Sequence, residues 1–198
     1  MTLSLPLGLF SGYIFDCDGT LADSMPVHYQ AWLQALAAAD APFHFEEEHF
    51  YQLGGTATSK IINILNERHG CNLDSETLSH AKELYFMENV SQIQPIDSVV
   101  AIARRLAQTH PVSIVTGGFR HVVEQTLETI NILHLFPIII TPADVLHGKP
   151  APDMFLLAAE KMGVPARECL VFEDGIVGIE GAEKAGMQSV FIPSRIVN

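Results

Sequence analysis

The sequence predicts an α/β fold, a Rossmann-like, doubly wound parallel sheet into which an all-helical segment is inserted. From residue 112 onward, apolar runs of strand length alternate with helical stretches of about ten residues, and right-handed crossovers turn that alternation into a parallel sheet covered on both faces. One more strand-like run, LFSGYIF at residues 9–15, stands alone near the start of the chain. Everything between these two regions is helical in pattern, which a sheet cannot absorb except as an insertion.

The elements follow in order. The strand at 9–15 leads into a helix at 26–39, PVHYQAWLQALAAA, with Pro26 at the first helical position, where its missing N–H is not needed. TSKIINILNERHG, residues 58–70, ends at a glycine suited to a left-handed cap, and SETLSHAKELYFMENV, residues 75–90, forms the next helix. After Pro95 come helix 97–108, strand 112–116, helix 120–130, strand 136–141, helix 152–162, strand 169–173, helix 176–186 and strand 189–192. Pro26 and Pro95 interrupt the local patterns. Residues 1–24 and 95–198 are therefore expected to form the α/β core and residues 25–94 a helical cap.

Composition narrows the function. The 198 residues are 48% hydrophobic, enough to fill a sizeable core. Eleven Lys and Arg against 23 Asp and Glu give a net charge of −12, which speaks against nucleic acid or an anionic membrane as a partner. The first basic residue is Lys60, so the apolar start LSLPLGLF lacks the positive flank of a secretory signal. No apolar run approaches the roughly 18 residues of a membrane span. A cytoplasmic protein, monomeric or weakly homo-oligomeric, is expected. Cys17, Cys71 and Cys169 lie far apart without a CxxC pair and read as small buried hydrophobes.

Ligands of open parallel sheets bind at the carboxyl ends of the strands, so the residues that follow each strand carry the chemistry. Here they are Asp16 and Asp18, then Thr116-Gly117-Gly118, then Gly148-Lys149-Pro150, then Glu173-Asp174. Four carboxylates on one rim repel one another, and a single lysine cannot balance them. A hard cation among oxygen ligands, with no histidine or thiol partner, points to Mg²⁺. The amides of Gly117 and Gly118 offer an anion nest, Lys149 a point charge and Thr116 a hydroxyl, which together suit a phosphoryl group. Asp16, directly off its strand, is placed as a nucleophile; Asp18, past a turn, is placed to move a proton.

DCDGTL at 16–21, the strand-terminal Thr116, Lys149 in GKPAPD and Glu173-Asp174 in VFEDGIVGIEGA occur in the order of the four motifs of the haloacid dehalogenase superfamily, which the chain resembles over nearly its whole length. The resemblance is to the subgroup of β-phosphoglucomutase and sugar-phosphate phosphatases. It implies that Asp16 is nucleophile and Mg²⁺ ligand, and that Asp18 is acid/base and ligates through its backbone carbonyl. It further implies that Asp174 ligates and that Glu173 ligates or orients a bound water.

The cap is less legible. His28 falls early in the first cap helix, near the rim, and the loop LGGTAT at 53–58 carries paired glycines that let Gly55 approach a ligand closely. Mutases of the resembling subgroup have an arginine three residues after the second glycine of this loop; here that position is Thr58, with Lys60 nearby. Loss of a bidentate arginine weakens a second phosphate site. A Mg²⁺-dependent phosphatase of a small phosphorylated metabolite is therefore the expectation, with a phosphohexomutase as the alternative. A signalling receiver module shares the aspartates, threonine and lysine, but it lacks a helical insert.

Overall fold

The computed structural model describes residue 6 and residues 8–193. The outer parts of the expected core boundaries, and half of the apolar start LSLPLGLF, lie outside them.

Strand β1, Gly12–Phe15, is followed by a two-residue strand β2, Ala22–Asp23. Four helices come next: α1, Met25–Ala38; α2, Glu47–Gln52; α3, Thr58–His69; and α4, Ser75–Asn89. A short strand β3, Gln94–Pro95, returns the chain to the core. From there run α5, Asp97–Leu106; β4, Val112–Val115; α6, Arg120–Thr129; β5, Ile138–Ile140; α7, Asp153–Met162; β6, Cys169–Glu173; α8, Ile176–Lys184; and β7, Gln188–Phe191.

The main sheet has the order β5-β4-β1-β6-β7, all parallel, so the first strand in sequence is the middle strand in space. Its residues are buried on both faces, which is why GYIF carries no polar alternation. Tyr13 and Phe15 join one apolar cluster with α5 and α6, whereas Ile14 joins the opposite one with α7 and α8. Phe15 stacks on Phe172 with ring centres 4.5 Å apart and meets Phe136 edge-on at 5.8 Å. Burying a side chain of that size stabilises the fold by roughly 2–3 kcal/mol.

Two features differ from the sequence expectation. β1 begins at Gly12, not at residue 9, because pairing to β6 starts at Gly12 opposite Cys169 and Leu9 is almost fully exposed. β2 and β3 form an antiparallel ribbon, Ala22 opposite Pro95 and Asp23 opposite Gln94, too short to register as a strand pattern. This ribbon joins the helical segment to the core. Cys17 and Cys169 are buried as expected, but Cys71 is only half-buried and donates its thiol to Asn66 Oδ1 at 3.3 Å.

The helical segment has its own apolar cluster, drawn from Met25, Tyr29, Trp32, Phe45, Phe50, Ile61 and Leu65 among others. Trp32 meets Phe45 edge-on at 5.8 Å, and the Tyr29 hydroxyl donates to the Phe45 carbonyl at 2.9 Å. α1 packs along α4, which turns Lys82 and Phe86 of α4 toward His28 of α1. No helix among the described residues is long and apolar enough to cross a membrane.

Candidate active site

Asp16 is one residue beyond β1, yet its amide still donates to the Phe172 carbonyl at 2.9 Å. The sheet register thus extends to the carboxylate and fixes it. The Thr116 amide donates to Ile140 at 3.1 Å in the same way, so two rim residues are held by strand-type bonds. Past Asp16 the chain turns at Gly19, whose φ of +83° is in the left-handed region; a Cβ there would also fall on the Asp174 carboxylate.

Lys149 is buried and donates to Asp16 Oδ1 at 2.6 Å and to Glu173 Oε2 at 2.7 Å. Glu173 accepts a second bond on Oε1 from the Gly175 amide at 3.1 Å. Its side chain lies directly against Gly178 of α8, where a Cβ would overlap it. Asp174 Oδ1 accepts from the Thr20 hydroxyl at 3.2 Å. Asp16, Glu173 and Asp174 can each present an oxygen such that all of these lie within 4.8 Å of one another.

That crowding sets the charge state. Burial, then Glu173 and Asp174, raise the Asp16 pKa well above the ordinary carboxylate range, and the bond to Lys149 only partly opposes them. Burial and Glu173 push Asp174 up to about 7. Lys149 goes the other way: burial alone would lower it, but its two carboxylate partners hold it well above the ordinary lysine range. One ammonium does not neutralise two buried carboxylates and a half-buried third, so the site has the donor set and the charge deficit of a hard-cation site. The residues fit a divalent metal.

Asp18 is turned away from this cluster. Ser24 Oγ donates to its Oδ1 at 2.6 Å, and His28 Nε2 lies 3.1 Å from the same oxygen. Ser24 is the residue before α1, but its hydroxyl is drawn to Asp18 and makes no bond to the helix end. On the far side of His28, Lys82 Nζ sits 2.8 Å from Nδ1, and the Phe86 ring stacks on the imidazole at 4.0 Å. Burial alone would raise Asp18, but His28, Ser24 and Lys82 outweigh it and bring its pKa to about 2. Burial lowers His28, assisted by Lys82, and brings Lys82 itself to about 8.

A cavity of about 70 Å³ lies between rim and helical segment, lined by Asp16, Asp18, Thr116, Gly117 and Gly118 below and by His28, Gly55 and Thr58 above. Each of these was singled out in the sequence. Gly118 differs in one respect: its amide already donates to Thr116 Oγ1 at 3.1 Å, and α6 starts only at Arg120, so the expected nest is narrower. Lys60 is exposed and does not line the cavity. Sequence reasoning missed Lys82, Ser24, Trp32 and Phe50; the only available signal was the i, i+4 spacing of Ser24 with His28 and of Lys82 with Phe86.

A parallel α/β sheet with a carboxylate-rich rim, a buried lysine and a helical insert over it is the arrangement of a hydrolase family. The chain belongs to the haloacid dehalogenase-like hydrolases, whose family model matches residues 10–186. It is 32% identical to the fructose-1-phosphate phosphatase YqaB of Escherichia coli over 182 residues, 91% of this chain and 95% of that protein. It is 29% identical to the β-phosphoglucomutase of Bacillus subtilis over 182 residues, 89% of this chain and 80% of that enzyme. Among solved structures, a hydrolase from Pseudomonas syringae superposes with a TM-score of 0.81 at 29% identity, covering 90% of this chain and 83% of that one.

Proposed function

We propose that the protein is a Mg²⁺-dependent phosphatase of small phosphate monoesters, sugar phosphates foremost, acting through an aspartyl-phosphate at Asp16. In this reading residues 25–94 act as a cap on the core formed by residues 1–24 and 95–198, a division supported by the separate apolar cluster of the helical segment and the ribbon at its base. Asp16, Asp174 and the Asp18 carbonyl would hold the metal, with Glu173 joining them or orienting a bound water. When bound, the metal neutralises phosphoryl oxygens and the crowded carboxylates together.

Asp16 Oδ attacks phosphorus; the new O–P bond forms as the ester O–P bond breaks. The departing oxygen takes a proton from Asp18, which is then ready to accept one from the water that attacks the aspartyl-phosphate and releases phosphate. Since Asp18 is held ionised, its proton is supplied along the chain Lys82, His28, Asp18, whose links are 2.8 Å and 3.1 Å. Lys149 holds Asp16 in place and balances part of its charge, and Thr116 donates to the phosphoryl group.

One observation favours hydrolysis over mutase chemistry. Thr58 lines the upper cavity wall where a bisphosphate would need a cation, Lys60 is outside, and among the described lining residues the fixed cation is Lys82, which is engaged with His28. Relatives of both kinds exist, so the assay must separate them. Phosphate release from a panel of sugar phosphates, with Mg²⁺ and with excess chelator, tests the reading. Turnover of β-glucose 1-phosphate to glucose 6-phosphate without free phosphate would overturn it.

A further inference from the structure

We propose that Gly117 and Gly175 are seats for the cap loop, and that the missing side chains at these two positions set how far the cavity closes, which restricts the protein to compact esters. The two glycines lie on different rim loops, one after β4 and one before α8. A Cβ at Gly117 would fall 2.6 Å from the Gly55 carbonyl oxygen, and a Cβ at Gly175 would fall 2.9 Å from the Gly54 carbonyl oxygen. Both are closer than carbon and oxygen pack, and both opposing atoms are backbone, so they cannot swing aside as a side chain would.

Neither glycine is required by its own backbone. Gly117 is not among the glycines with positive φ, and Gly175 has φ −96° and ψ 137°, an extended conformation open to any residue. Gly19 and Gly55 contrast with them, since their φ values of +83° and +76° demand glycine locally. What a side chain at 117 would disturb is therefore the approach of the cap; one at 175 would do the same and would also meet Glu173 Oε1 at 3.2 Å, so Gly117→Ala is the cleaner wedge.

The consequence is a restriction on size. With both carbonyls seated, Gly55 sits over the Lys149 and Glu173 side chains, beside a cavity of about 70 Å³. Its upper wall is apolar, with Met25, Trp32, Phe50, Leu53 and Ile61, and would accept a ring if there were space. Closure, not wall chemistry, excludes bulky groups. The substrate terms of this inference rest on the phosphatase reading, whereas the docking geometry does not.

The test uses Gly117→Ala and Gly175→Ala in the full chain, with Leu146→Ala as a loop control, since that side chain is 87% exposed. Two quantities are measured: hydrogen exchange of the Gly54 and Thr56 amides, which donate to the Tyr51 and Leu53 carbonyls at 3.1 Å, and the ratio of kcat/KM for glycerol phosphate to that for p-nitrophenyl phosphate. In both wedge variants exchange of the two amides accelerates, and the ratio falls tenfold or more, while Leu146→Ala stays within twofold of the parent. A loss of equal factor on both esters, or unchanged exchange, overturns the proposal. The phosphatase reading falls only if the parent also releases no phosphate from the sugar-phosphate panel; if it cleaves neither of the two esters, exchange alone decides: acceleration in both wedge variants upholds the seats, and its absence overturns them.

Discussion

Lys82→Met should make the protein more stable and less active at pH 7. Lys82 is 6% exposed, and burial takes its pKa from the ordinary 10.5 to about 8. That difference of 2.5 units corresponds to about 3 kcal/mol by which the folded state is penalised while the lysine is charged in both states. The unfolded chain binds the proton more tightly, so stability is lowest below pH 8 and rises between about 8 and 10.5. Methionine keeps the volume and removes the penalty, but it leaves His28 Nδ1 without its 2.8 Å donor, a loss of about 1 kcal/mol.

The net gain at pH 7 is then about 2 kcal/mol, or a rise in melting temperature of roughly 4–8 °C for a chain of this length. At pH 9.5 the penalty has shrunk to about 1.4 kcal/mol and the two proteins should be nearly equal in stability. Urea titrations of both proteins at the two pH values measure this. A variant less stable than the parent at pH 7, or one whose advantage grows with pH, would refute the idea that Lys82 is a strained cation held for function. Its phosphatase turnover should fall at the same time, because the proton supply to Asp18 is broken.

Asp16→Asn should abolish phosphate release without lowering the melting temperature, since it removes a carboxylate whose ionisation burial and Glu173 already oppose; retained turnover would exclude Asp16 as nucleophile. Gly178→Ala should weaken metal binding at least tenfold in calorimetric titration with Mg²⁺, because its Cβ would occupy the space of the Glu173 side chain and break the 2.7 Å bond to Lys149. Asp144 accepts from the Thr141 amide and hydroxyl at 2.8 and 2.9 Å and from Arg120 at 2.9 Å, and these bonds outweigh partial burial to lower its pKa. Its contribution is present above the unfolded carboxylate pKa and is lost as pH falls through the folded one, so Asp144→Asn should cost about 1 kcal/mol at pH 7 and progressively less as pH falls below the ordinary carboxylate range, read from acid-dependent urea curves.

The sheet and its rim were legible in the sequence because each rests on local rules. A strand buried on both faces needs an unbroken apolar run, and the residue after it falls at the ligand-binding edge wherever that strand lies in the sheet. Asp16 and Thr116 could thus be named before any contact was known, as could Glu173 at the end of its strand and Lys149 in the loop that follows β5. The α3 helix, from Thr58 to its Gly70 cap, was equally local. The ribbon of β2 and β3 was not, because two-residue strands have no period to detect.

What only the tertiary structure decided is which side chains meet across the cap. Lys82 reaches His28 because α4 packs on α1, a contact between residues 54 apart in sequence that no periodicity encodes. The same packing puts Lys82 behind His28, where it joins Ser24 and His28 in holding Asp18 ionised. Gly117 reads in the sequence as a nest glycine, and only the packing of the helical segment places the Gly55 carbonyl against it and the Gly54 carbonyl against Gly175. Strand ends place catalytic groups through backbone geometry that short sequence patterns dictate, whereas a cap places its groups through long-range packing, which depends on shape rather than on spacing.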